Sequence, residues 1–251
     1  MTGISAVILS KNEEDRIRRC IESVRDVVDE VIVIDSGSTD ATVDIATSLG
    51  AKVYSIEWLG YGESKNFGNT KAANNWILSL DSDEWLSEEL QQEIRSIALT
   101  ERCIYKMNRS NIYLGKVIHY SGWSPDWVYR LFNKAEVGWN DNLVHEKLVY
   151  PHDYQISKLR GALMHDSYRS IADHKSKTEK YAMLKAKSWV EKGTAPSILK
   201  RYFGSIFKGI HSYIIKLGVL DGKEGLIIAK MNTYLVKKQM EYYDELNTNR
   251  R

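Results

Sequence analysis

Three short apolar runs, each ending in a cluster of acidic and amide side chains, limit what this chain can fold into. Residues 4–9, 31–34 and 76–80 are almost continuously apolar and rich in β-branched types. That is the pattern of strands buried on both faces, with no alternation between a wet and a dry side. Between the first two runs, the spacing of Ile17, Cys20, Ile21 and Val24 predicts a helix over residues 13–25. Val43, Ala46 and Leu49 predict another, and residues 52–55 a further strand. Strands and helices that alternate at this spacing build parallel βαβ units with helices on both faces of the sheet. In open sheets of this kind, ligands bind beyond the carboxyl ends of the strands. The loops at 10–14, 35–40 and 81–84 are therefore the ones that carry function.

The pattern changes after residue 100. Residues 103–109 and 112–120 read as a hairpin about Ser110-Asn111, and 128–133 and 137–139 as short strands, all dense in tryptophan and tyrosine. From Ile171 the periodicity is helical almost to the end. The expected division is a catalytic domain over 1–170 and a helical region over 171–251. With 43% hydrophobic residues in 251, the chain can bury a full core, and a net charge of +2 excludes a general nucleic-acid binder. The charge is uneven, because residues 192–238 carry nine Lys/Arg against two acids. A stripe at three- to four-residue spacing from Ile198 to Leu217 runs through this basic segment. It suits an anionic membrane surface, and it equally suits packing on the rest of the chain or on a partner. Cys20 and Cys103 have neither metal-site nor disulfide spacing and are expected as buried thiols. No leader-peptide pattern and no 18-residue apolar stretch is present, so the expectation is a cytoplasmic protein, free or peripheral on the inner membrane.

Asp81-Ser82-Asp83-Glu84 directly follows a buried strand. Carboxylates gathered there repel one another unless a cation or hydrogen-bond donors neutralise them. Mg²⁺ or Mn²⁺ suits such oxygen ligands and keeps positions open for phosphate oxygens. Asp35 has the same place on the second strand and is available to a ribose or a base N–H. Asn12 and Glu14 either reach the same nucleotide or cap the following helix. Lys65, in a flexible glycine-containing loop leading to a helix, either meets a diphosphate as a point charge or is a plain surface lysine. Trp123 and Trp127, beside Pro125, are candidates for a platform under a sugar ring.

The strings Ser5-Ala6-Val7-Ile8-Leu9-Ser10-Lys11-Asn12-Glu13-Glu14, Val33-Ile34-Asp35-Ser36-Gly37-Ser38-Thr39-Asp40 and Ile77-Leu78-Ser79-Leu80-Asp81-Ser82-Asp83-Glu84 resemble glycosyltransferase family 2. Pro125-Asp126-Trp127, Arg130-Leu131-Phe132, Leu143-Val144-His145-Glu146-Lys147-Leu148 and Leu220-Asp221-Gly222-Lys223-Glu224-Gly225 resemble its lipopolysaccharide-core branch, which adds β-1,4-glucose to heptose. The resemblance implies a GT-A fold, a Rossmann-like mixed sheet flanked by helices, with a C-terminal helical extension. It also implies a UDP-sugar donor, a glycan or lipid-linked acceptor and one-step inversion. By the same resemblance Asp35 binds the nucleotide, Asp81 lies on the ribose side and Asp83 ligates the metal, with Ser82 between them as a further donor-binding candidate. Glu146 is the general base with His145 beside it, and His145 itself or Asp141 are rivals. His165 is a further candidate ligand, and Arg130 contacts diphosphate or acceptor, or else forms a buried ion pair. Two other readings stand beside this one: a nucleotide-sugar-binding module without catalysis, and a family 2 transferase acting on another cell-surface polysaccharide.

Overall fold

The computed structural model describes residues 3–140 and 146–248. Its elements run β1 (Ile4–Ser10), α1 (Ile17–Val24), β2 (Glu30–Asp35), α2 (Thr42–Ser48), β3 (Lys52–Ser55), α3 (Tyr61–Lys71), β4 (Trp76–Asp81), β5 (Glu84–Leu86) and α4 (Glu88–Ser96). There follow β6 (Cys103–Tyr113), β7 (Lys116–Val117), β8 (Trp127–Asn133), β9 (Gly138–Trp139), β10 (Leu148–Val149), β11 (Gln155–Tyr168), α5 (Ile171–Glu191), α6 (Ile198–Ile210) and α7 (Lys223–Thr248). The chain forms two compact units, residues 1–109 with 126–165 and residues 110–125 with 166–251. The segment 110–125 belongs with the helices of the second unit.

The main sheet has the strand order β3-β2-β1-β4-β8-β6-β11-β5. The strands β1 to β4 are parallel, and β8 enters antiparallel against β4. All seven residues of β1 are buried. Ile4, Ala6 and Ile8 face a core completed by Ile17, Ile21 and Leu90, while Val7 and Leu9 face a second core with Ile34 and Ile77. This double burial is why the strand runs read as continuous and not alternating. Cys20 and Cys103 are buried free thiols.

Three elements depart from the sequence reading. The hairpin turn is not at Ser110-Asn111, since β6 runs straight through both. It lies at Leu114 and Gly115, whose φ angles of 51° and 82° are the two positive values a tight two-residue hairpin turn requires. Residues 61–71, expected to include a flexible loop, are helix α3. This helix has no leucine stripe because it packs through glycine: a Cβ on Gly68 would lie 2.4 Å from Val7 Cγ1. The long strand β11 was not foreseen, because its polar alternation is broken by Gly161. A Cβ there would meet the Leu90 backbone at 2.3 Å, so glycine is what lets α4 lie against the strand.

In the second unit, α7 packs along α5 and α6. Ala182 and Ala186 of α5 are buried with Ile228, Ala229 and Val236 of α7. The Asp221 carboxylate accepts the backbone N–H groups of His119 and Tyr120 and the Ser121 hydroxyl. A Cβ on Gly225 would lie 1.8 Å from the Gly218 carbonyl oxygen. The motif at 220–225 is therefore a structural staple. Trp123, expected as a sugar platform, packs instead against Tyr113, Tyr168 and His174. No described helix is long and apolar enough to cross a membrane.

His174 is buried in that aromatic cluster, with Nδ1 2.9 Å from the Tyr113 hydroxyl. Burial pushes its imidazole down to about 4. The unfolded chain takes up this proton near pH 6.5, before the folded chain does. The stabilisation is thus complete above that pH and is lost as pH falls toward 4. The melting temperature should drop between pH 7 and pH 5, and His174→Gln should flatten part of the drop. Identical slopes for the two proteins, by circular dichroism, would remove His174 as its source.

Candidate active site

The site is built at the carboxyl ends of β1, β2 and β4. Asn12, at a φ of 54°, turns the chain out of β1. Its Oδ1 accepts the Thr39 N–H at 2.8 Å and its own N–H donates to Ser38 Oγ. Glu14 accepts the Ala41 N–H, and its N–H donates to Asp40. Neither residue caps α1, so the two loops are laced to each other. Asp35 is 1% exposed, and its carboxylate accepts the N–H groups of Gly37 and Ser38 and the Ser38 hydroxyl.

The loop after β4 is held from below. Glu84 is fully buried. Its Oε2 accepts the Asp81 N–H at 3.0 Å, while its Oε1 receives Arg130 at 2.5 Å and Arg109 at 3.3 Å. Arg109 also binds Asp126 at 2.8 Å. Ser82, 6% exposed, donates its N–H to the Leu9 carbonyl and joins the loop to β1. The two aspartates have different surroundings. Asp81 lies 2.6 Å from Arg130 Nη2 and 3.1 Å from Lys65 Nζ. Burial alone would raise its carboxyl, but these two cations overcome it and hold the group far below the usual carboxylate range. Burial and the flanking carboxylates act on Arg130 in opposite senses, and Asp81 and Glu84 win, raising it further.

Asp83 pairs with His165, Oδ2 to Nε2 at 3.5 Å. Burial works to raise the Asp83 carboxyl, and the bond and charge of His165 bring it below the ordinary value. The strand register explains the meeting. Antiparallel pairing of β11 on β5 sets Leu163 opposite Leu86 and His165 opposite Glu84, one residue from Asp83.

Lys65 lies inside α3 and is 1% exposed, which corrects its expected place on a flexible loop. Its ammonium lies 2.8 Å from Glu146 Oε1 and 3.1 Å from Asp81 Oδ1, with the Trp139 ring 4.8 Å away. Gly62, one turn earlier, allows the approach: a Cβ there would sit 1.9 Å from the Asn140 carbonyl oxygen. Arg130, a candidate for diphosphate or acceptor, is 4% exposed in its ion pairs with Asp81 and Glu84. His145 and Asp141 lie outside the described residues. Trp127, which opens β8, stays 37% exposed between Lys106 and Lys158.

The sequence reading missed Arg109 and the anchoring role of Glu84, and it gave Asp126 no partner. It allowed Arg130 a buried ion pair, but nothing local names Glu84 as the other half.

The glycosyl transferase family 2 profile matches residues 5–117. An uncharacterized glycosyltransferase of Rickettsia bellii is 36% identical over 239 residues, covering 89% of this chain and 80% of the relative. The lipopolysaccharide core biosynthesis glycosyltransferase LpsC of Rhizobium meliloti is 28% identical, covering 80% of this chain and 76% of its own. Among solved structures, S. aureus TarS 1-349 in complex with UDP aligns over 98% of this chain and 92% of its own, with 14% identity and a TM-score of 0.47. Parallel strands ending in carboxylate loops, the family profile over the first strands and a relative matched along most of both chains lead to one conclusion: the chain is a glycosyltransferase of the GT-A fold and belongs to glycosyltransferase family 2.

Proposed function

We propose that this enzyme is an inverting transferase that moves a hexose, glucose, from a UDP-sugar to a lipopolysaccharide-core or related glycan acceptor in the cytoplasm. The observation that carries the reading is the Lys65 ammonium, bonded at once to Asp81 on the β4 loop and to Glu146. It ties the carboxylate loop of the donor side to the carboxylate assigned as base. The similarity to LpsC, a lipopolysaccharide core biosynthesis glycosyltransferase, supports the acceptor class.

In this reading Asn12, Glu14 and Asp35 form the nucleotide wall, with Asp81 and Ser82 at the ribose and Arg130 fixing Asp81 from behind. Asp83 and His165 would hold Mg²⁺ or Mn²⁺. Their donor atoms suit such an ion, with one carboxylate oxygen and one imidazole nitrogen 3.5 Å apart on side chains 21% and 14% exposed. Among the described residues no group of three or more His, Cys, Asp or Glu side chains is arranged to hold an ion. A pair of protein ligands leaves positions for diphosphate oxygens. A bound ion supplies neutralisation of the charge that develops on the departing diphosphate. Glu146, with its side chain 18% exposed, takes the proton of the acceptor hydroxyl as that oxygen bonds to the anomeric carbon. The bond from that carbon to the diphosphate oxygen breaks on the opposite face, and its electron pair leaves with UDP. Lys65 holds the base in place throughout.

Asp83→Asn should abolish metal-dependent transfer with native circular dichroism. Turnover equal to that of the unsubstituted enzyme across a Mn²⁺ titration would take the ion away from this residue. Glu146→Gln should lower kcat by about 10²–10⁴-fold and leave the donor KM unchanged. A change confined to donor KM would remove Glu146 as base. In a thermal-shift series with Mn²⁺, UDP-glucose should stabilise the enzyme more than UDP-galactose or UDP-N-acetylglucosamine. A larger shift with either of the others would overturn the choice of sugar.

A further inference from the structure

The helix α6 presents an apolar face that the second unit leaves uncovered. Leu199, Tyr202, Phe203, Ile206, Phe207 and Ile210 are between 54% and 73% exposed. The face continues through Ile214, Ile215 and Leu220, each more than half exposed. A groove of about 630 Å³ between α6 and α7 is lined by Leu199, Phe203 and Phe207 on one side and Leu235 and Val236 on the other, with Lys200 and Lys208 also contributing. Contiguous apolar surface on this scale marks an interaction site in a folded protein.

Charge narrows what can cover it. Residues 192–220 contain no Asp or Glu and five Lys/Arg. Arg201 is paired with Asp244 on α7. Lys200, Lys208 and Lys216 have no carboxylate within ion-pair distance among the described residues. Burial lowers Lys200, and the neighbouring ammonium groups of Lys185 and Lys208 lower it further, so this cluster is a local demand for negative charge. A second copy packed face to face would oppose lysine to lysine across the contact. At 13 residues, α6 is about 20 Å long, and no described helix can cross a bilayer. Aromatic and aliphatic side chains interleaved with lysine on such a helix suit the interface plane, with rings among the acyl chains and ammonium groups among the phosphates.

We propose that the outer face of α6, with the groove it forms against α7, docks this enzyme on a bilayer that carries anionic headgroups. The proposal stands apart from the choice of donor and acceptor, because its readout requires no turnover. The full chain is floated with vesicles of phosphatidylcholine alone or of phosphatidylcholine mixed with phosphatidylglycerol, at low and high salt. It should float with the anionic vesicles, stay behind with the neutral ones and be released by salt. Lys200→Gln and Lys208→Gln should each lower the vesicle partition about fivefold. The double change Phe203→Asp with Phe207→Asp should abolish flotation while the circular dichroism spectrum stays native. No flotation, equal flotation with neutral vesicles, or flotation untouched by these changes would overturn the proposal. So would a dimer in sedimentation that the double change dissociates, which would make the face a contact between copies.

Discussion

The Glu84 carboxylate has no access to water, and the architecture of the site follows from the cations that it requires. Arg130 and Arg109 supply them, and the Asp81 N–H completes the set. From that point charges alternate along one connected chain: Asp126, Arg109, Glu84, Arg130, Asp81, Lys65, Glu146. Every carboxylate inside the chain sits between two cations. Removing one partner of such a buried pair costs about 3–5 kcal/mol, because a charge is left uncompensated in the interior. The chain therefore fixes the β4 loop, the middle of β8 and the Glu146 carboxylate as one unit. It also separates the two aspartates of the motif. Asp81 is absorbed into the protein's own ion network, while Asp83 stands outside it and pairs with a histidine.

The parallel half of the sheet was legible because its strands carry their own signature. β1, β2 and β4 are buried on both sides, so apolarity runs unbroken along the sequence and each run ends where the functional loops begin. The antiparallel half was less legible for a physical reason. The strand β11 owes its place to a glycine pressed against α4, and α3 owes its place to Gly62 and Gly68, so neither shows a hydrophobic period. Lys65 looked like a loop lysine because helix patterns are read from apolar spacing, and this helix buries an ammonium instead. The loops after β1 and β2 were recognised as important, but not that their carboxylates and amides would bind one another. Asn12 and Glu14 find their partners at Thr39 and Ala41, some 27 residues along the chain, beyond the reach of any local motif.

The second unit shows the converse. Its helices were foreseen from periodicity, and that same periodicity concealed which face would be inside. The small side chains Ala182, Ala186 and Ala229 lie in the helix packing, while the large ones of α6 are outside. A stripe of leucine, isoleucine and phenylalanine is ordinarily read as core. Here alanine and glycine of α5 and α6 meet α7, whose Ile228 and Val236 are buried, and a Cβ on Gly209 would lie 2.2 Å from Thr233 Oγ1.

The register of β11 on β5 makes the site sensitive to changes made far from it. His165 faces Asp83 only because Leu163 is opposite Leu86, and side chains alternate between the two faces of a strand with period two. A slip of a single residue would turn the imidazole through to the other side of the sheet. The position that guards against such a slip is Gly161, whose N–H donates to the Glu93 carboxylate and where a Cβ would run into Leu90 of α4. A mutational scan of this enzyme would score Gly161 alongside its active-site residues, although its contribution is purely mechanical.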